Sequence, residues 1–237
     1  MIDYAFETDV LLSSSWGVRI IDHYPDIVYG KPQISRTSVP GRKGTLTEFD
    51  GTYDDTTVSM DCDIMLFNDL SVDIQFQRFS QALSQAKKLM LEGMEDRFFK
   101  IKTVEISDYD RYADSSIAFS IKFTCDPGVY LLSGDVYEKW RSGRVYNLYS
   151  EAEPIYKIEG KGQCTLTVND FSVTGYVDGC LYIDTVNMDA YQSDGSRVNN
   201  LVKGNYKDLY LKPGENHIDI TSGFSLYVKS GWRWMIS

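Results

Sequence analysis

The sequence predicts a mainly β protein: an α+β amino-terminal domain with one amphipathic helix, followed by a carboxy-terminal β-sandwich. Three observations carry this. Two first-half segments alternate apolar and polar residues with period 2. One segment repeats apolar residues at three- and four-residue steps. The second half is a series of short strand candidates separated by turn signals at roughly 8–12-residue spacing. The chain has 237 residues, 43% of them hydrophobic and 14% aromatic, including 17 Tyr. That composition argues against disorder, and the length fits one large domain or two small ones.

The elements follow in order. Val58, Met60, Cys62, Ile64 and Leu66 alternate with Ser59, Asp61, Asp63 and Met65, which predicts a half-buried strand. Phe76, Phe79, Leu83, Ala86 and Met90 predict an amphipathic helix of roughly four to five turns. Gly93 would stop it, and Lys87-Lys88 would face the negative end of its dipole. Phe98, Phe99, Ile101, Val104 and Ile106 predict further strand structure. Ile117, Phe119, Ile121, Phe123 and Cys125 repeat the period-2 pattern, and Asp126-Pro127-Gly128 carries turn chemistry. These features divide the chain into a domain over 1–130, a structured connecting arm over 131–153 and a sandwich over 154–237. Sandwich strands are expected over 155–159, 164–168, 179–184, 207–211, 216–220, 224–228 and 232–236. Separators include Gly160-Lys161-Gly162 and Val177-Asp178.

Charge is unevenly placed. Residues 1–130 hold 13 Lys/Arg against 21 Asp/Glu, a net of −8, and residues 131–237 hold 11 against 13, a net of −2. The whole chain carries −10, which argues against a general phosphate-binding surface. The opening residues lack a basic segment followed by a long apolar run, so no secretory leader is expected, and no apolar stretch is long enough for a transmembrane helix. Cys62, Cys125, Cys164 and Cys180 are far apart and unpaired in sequence, so free buried thiols are expected.

Catalytic patterns are scarce. Phosphate-loop, nucleophile-elbow and HExxH motifs are absent, so no enzyme activity, cofactor or metal is expected. His217 sits in a predicted strand, and His23 sits beside Asp22, which would orient its ring. Carboxylates are numerous enough to leave a glycosidase pair open by counting alone. Asp61 and Asp63, however, lie on a polar strand face, and Asp50, Asp54 and Asp55 lie in a turn without calcium-loop spacing. Trp232 and Trp234 share one strand face, either packed inside or stacking on a sugar.

The most distinctive segment is Val39-Pro40-Gly41-Arg42-Lys43-Gly44. Pro40-Gly41 suits the two central positions of a type II turn, because glycine accepts positive φ there. Arg42 and Lys43 then project from a constrained loop of an acidic domain. Two readings stand: a solvated hairpin, or a loop whose Arg42 pairs with a carboxylate of a neighbouring subunit.

Val39-Pro40-Gly41-Arg42-x-Gly44 followed by Asp50-Gly51-x-Tyr53 resembles the signature region of siphophage distal tail (Dit) proteins. Phe123-x-Cys125-Asp126-Pro127 with Tyr130 resembles the end of that family's amino-terminal domain. Leu211-x-Pro213-Gly214-x-Asn216-x-Ile218, then Trp232-Arg233-Trp234, resembles its carboxy-terminal end. The resemblance implies a structural virion protein whose amino-terminal domains form a homo-hexameric ring, with peripheral galectin-like sandwiches. Such a hub joins the tail tube protein to tail-associated lysin, fibre or receptor-binding proteins and lets DNA pass. It sits at the distal end of the tail and needs no membrane. The short chain implies a compact member without inserted carbohydrate-binding modules. The alternative is a carbohydrate-binding adhesion module acting through the sandwich and Trp232 and Trp234.

Overall fold

The computed structural model describes residues 4–66, 71–113, 116–141 and 143–236. Residues 1–3, part of the opening segment read above, and Ser237 lie outside them. The protein is mainly β with sandwich-like sheets, and Val72–Leu83 is the one α-helix among the described residues. That helix is too short to cross a membrane. The chain divides into two compact units, residues 1–129 with 235–237, and residues 130–234.

In the first unit the strands are β1 (Phe6–Thr8), β2 (Val18–Ile20), β3 (Asp26–Val28), β4 (Pro32–Ser38), β5 (Thr45–Tyr53) and β6 (Thr56–Met65). Helix α1 (Val72–Leu83) follows, then β7 (Lys88–Leu91), β8 (Arg97–Ile106), β9 (Asp110–Ala113) and β10 (Ser116–Leu131). The main sheet runs β1-β7-β8-β10-β6-β2, with β3 on β6 and β9 on β10. Its centre is the β6–β10 ladder, in register from Ser116 opposite Met65 to Cys125 opposite Thr56. The alternating residues Val58, Met60, Cys62 and Ile64 are buried, as are Ile117, Phe119, Ile121, Phe123 and Cys125. Helix α1 covers this apolar face. Its Phe76 and Phe79 rings meet Phe119 at 5.0 and 6.0 Å between centroids.

The helix is shorter than its sequence pattern predicts. It ends at Ser84, whose N–H donates to the carbonyls of Ser80 and Ala82. Ala86 and Met90 lie beyond it. Asp9 accepts the N–H groups of Lys87 and Lys88 at 2.8 and 3.1 Å, which starts the chain into β7. Leu89 and Leu91 are buried there, and Leu91 pairs with Phe6 while Leu89 pairs with Phe99. Two neighbouring strands satisfy this backbone, so tertiary pairing overrides the helical spacing. Gly93, expected as the helix stop, turns the β7–β8 connection at φ 85°.

Asp126-Pro127-Gly128 is likewise strand, not turn. Pairing of β10 with β6 ends at Cys125, so Pro127 removes no donor from that ladder.

The second unit contains β11 (Glu138–Trp140), β12 (Gly143–Asn147), β13 (Ile155–Val168), β14 (Phe171–Asp184), β15 (Asp189–Tyr191), β16 (Val202–Lys203), β17 (Gly214–Ile220), β18 (Ser225–Lys229) and the first two residues of β19 (Arg233–Met235). Residues 138–147, within the segment read as a connecting arm, supply β11 on β18 and β12 on β17. The glycines expected to separate strands bend them instead. β13 pairs with β18 over its first five residues and with β17 over its last three. Gly160 and Gly162 lie between, at φ 153° and 116°. A strand that changes partner through a glycine bend forms a corner between sheet layers. Val177-Asp178 also lies inside β14. Residues 206–209 form a 3-10 turn where a strand was expected. Tyr156, Ile158, Leu166, Val168, Ile183, Ile218 and Leu226 fill the second core.

Candidate interaction surfaces

The turn at Pro40-Gly41 forms as the residue types dictate. Gly41 takes φ 84°, and the Arg42 N–H donates to the Val39 carbonyl at 3.1 Å. Strands β4 and β5 flank it as a separate two-stranded sheet. The nine residues of β5 extend about 30 Å. Almost every residue of this hairpin is exposed, including the directly paired Ile34 (46%) and Phe49 (51%). Val39, Pro40, Gly41, Arg42, Lys43 and Gly44 are all exposed at its tip. No described carboxylate pairs with Arg42 or Lys43 within the chain.

The hairpin base is firmly fixed. A Cβ at Gly30 would lie 1.9 Å from the Asp54 carbonyl oxygen, so only glycine fits there. The Gly30 N–H donates to Thr56 Oγ1, which donates in turn to the Pro127 carbonyl, both at 3.1 Å. Lys102 bridges Asp55 and Asp126 at 2.5 and 3.4 Å. Further along, Asp50 accepts from the Thr52 hydroxyl and N–H at 2.7 and 2.8 Å, and these bonds hold its carboxyl below the ordinary range. Gly51 takes φ 90°, and Tyr53 meets Phe49 edge-on at 5.2 Å. The loop 39–44 and Asp50, Gly51 and Tyr53 therefore belong to one hairpin, anchored at one end and solvated along its length.

With this architecture in view, comparison with solved structures is informative. The chain is similar to the crystal structure of SPP1 Dit (gp 19.1), described as a paradigm of the hub adsorption apparatus in phages infecting Gram-positive bacteria. The TM-score is 0.61, over 95% of this chain and 97% of that one, at 12% sequence identity. The fold is Dit-like. No protein-family model matches the sequence, and no curated protein does.

Other expected residues are placed as follows. Trp232 packs against the second core, and its carbonyl accepts the Leu131 N–H at 2.9 Å. Gly134 lies so close that a Cβ there would sit 2.4 Å from the Trp232 nitrogen. Tyr149 meets Trp234 edge-on at 4.9 Å and Trp232 at 6.2 Å. Between the two tryptophans, Arg233 donates to both carboxylate oxygens of Glu153, at 2.9 and 3.1 Å. Burial opposes its charge, but Glu153 outweighs that and raises the guanidinium pKa.

His23 borders an open groove of about 410 Å³ with Asp26, Asp61, Glu105 and Lys122. Its Nδ1 bonds the Tyr24 carbonyl at 2.8 Å, so that carbonyl orients the ring in place of Asp22. This bond and the charge of Asp26 raise its pKa above the usual value. His217 is exposed and pairs with Asp219 at 2.6 Å. No group of three or more His, Cys, Asp or Glu among the described residues is placed to hold a metal ion.

One surface escaped sequence reading. Lys139, Tyr227, Lys157, Tyr182 and Tyr191 stand directly opposite one another across β11, β18, β13, β14 and β15. Lys157 lies 5.1 Å from the Tyr227 ring centroid, and Tyr182 stacks on Tyr191 at 4.9 Å and 11°. Tyr227, Lys157 and Tyr182 lie in strands that the sequence predicts, but Lys139 lies in the segment read as an arm and Tyr191 between expected strands. The row itself is not visible in the sequence, because register is a long-range property.

Proposed function

We propose that this chain is a structural component of a phage tail tip, a distal hub whose first units assemble into a homo-hexameric ring. The ring joins the tail tube protein to tail-associated lysin, fibre or receptor-binding proteins, and DNA passes through its channel without being bound specifically. The second unit stands as a galectin-like peripheral sandwich, and the protein works as scaffold, not as enzyme. The likeness to SPP1 Dit across nearly the whole of both chains carries this reading.

The hairpin supplies its physical side. A two-stranded sheet alone in water is marginal, and its outer edges offer unpaired backbone groups. A closed ring needs one patch to meet a different patch on the next copy. An exposed apolar pair, Ile34 and Phe49, with unpaired Arg42 and Lys43 at the tip, suits a neighbour whose first domain carries −8. Light scattering and negative-stain imaging of the purified chain, with and without tube protein, test this. Rings are expected, and monomers under both conditions would overturn the reading. Arg42→Glu is expected to shift the distribution toward monomers with an unchanged melting temperature. An unchanged distribution would remove Arg42 from the interface.

A further inference from the structure

The second unit holds an open pocket of about 510 Å³ beyond the β15 end of the tyrosine row. That size is in the range of small-ligand sites. Asp184, Asn187, Met188, Asp189, Tyr191 and Arg197 line it. Tyr182 stacks on the Tyr191 ring and supports it from one face. Asp184 is buried and spends its oxygens on the N–H groups of Val186 and Asn187 and on the Asn187 side-chain amide, at 2.9–3.0 Å. That fixes Asn187, whose side-chain carbonyl accepts no bond among the described residues. Arg197 pairs with Asp189 through Nε at 2.8 Å, and its side chain stays 80% exposed.

The chemistry of this lining selects its ligand. Its two carboxylates fall short of a metal-binding group, in keeping with the absence of one among the described residues. Those same carboxylates outnumber the single guanidinium, which disfavours an anion. The lining is too polar for a hydrocarbon. What remains is a neutral, polyhydroxylated molecule. Fixed planar amide, carboxylate and guanidinium groups hydrogen-bond vicinal hydroxyls, and an aromatic ring packs against the C–H face of a sugar.

We infer that this pocket is a saccharide-binding site for a neutral glycan. Tyr191 is the platform, and Asn187 and Arg197 are the hydroxyl partners, since Arg197 and Asn199 already engage both oxygens of Asp189. The site lies within the second unit, so it does not depend on ring assembly. It also differs from the Trp232–Trp234 surface expected from sequence.

The test is an array of neutral hexose and N-acetylhexosamine oligosaccharides beside sialylated and sulfated ones, probed with the full chain. Hits are then titrated by calorimetry. Neutral glycans are expected to bind. Arg197→Ala and Asn187→Ala are each expected to weaken binding roughly tenfold or more, because each removes hydrogen bonds made in a partly desolvated site. Tyr191→Phe, which keeps the stacked ring, is expected to retain most of the affinity. Tyr146→Ala, an exposed change on β12, serves as the control and is expected to leave binding unchanged. Circular dichroism confirms the fold of each variant. No signal on the array, binding confined to anionic glycans, or binding indifferent to Arg197→Ala and Asn187→Ala would each overturn the proposal.

Discussion

At the scale of single residues, burial governs the four thiols. Cys62, Cys125 and Cys164 are buried on apolar strand faces, where loss of solvation penalises the thiolate. That pushes Cys125 up to about 12 and Cys164 up to about 11, and Cys62 higher still. Cys180 is half-exposed on the outer face of β14 and is raised as well, chiefly by burial. Because the thiolate is the reactive form, all four are slowed at pH 8, and the buried three are shielded as well. Iodoacetamide at pH 8 is therefore expected to modify Cys180 first, with Cys62, Cys125 and Cys164 reacting only after denaturant is added. Peptide mass spectrometry over a time course checks the order. Early labelling of any buried cysteine would mean that its unit opens locally far more often than its packing implies.

At the scale of elements, Gln75 ties α1 to the sheet it covers. Its side-chain amide donates to the carbonyls of Trp16 and Met65 at 2.7 and 3.0 Å, in a buried site. Gln75→Leu keeps the volume but strands both carbonyls, so a loss of about 2 kcal/mol or more is expected in urea unfolding of the first unit. A change within about 0.5 kcal/mol would mean that other donors already serve those carbonyls. Nothing in sequence marks this role, because Gln75 interrupts an apolar stripe and its partners lie in other elements. By contrast, β6 and β10 were legible: each needs only local period-2 alternation. The Pro40-Gly41 turn was legible for the same reason. Helix α1 was legible at its core but not at its end, since Ala86 and Met90 extend the helical spacing by coincidence while Leu89 and Leu91 obey a strand. Gly160 and Gly162 mislead differently, because glycine chemistry that ends a strand also bends one. The residues gathered around Tyr191 could not be read at all, for the pairing of β14 with β15 and a separate bridge from Tyr191 to Arg197 bring them together.

At the scale of the whole molecule, the arrangement of charge decides what the protein avoids. The net −10 repels a polyanion at long range. Short-range capture would need a stripe of free Lys and Arg, yet many of the cations are already engaged. Arg19 pairs with Asp63, Arg111 with Asp73, Lys157 with Glu159 and Lys229 with Asp135. Arg233 is committed to Glu153. Arg42 and Lys43 at the hairpin tip are by themselves too few to hold DNA, because affinity for a duplex grows with the number of phosphates neutralised. The expected outcome is a dissociation constant weaker than about 100 μM for duplex DNA near physiological salt. Fluorescence anisotropy with a labelled duplex measures it, repeated at lower ionic strength where any phosphate contact would be amplified. A flat signal at both salts fits a hub past which a genome slides. Binding that strengthens steeply as salt falls would show instead that a cationic surface forms, and a channel built from these units would then grip its cargo.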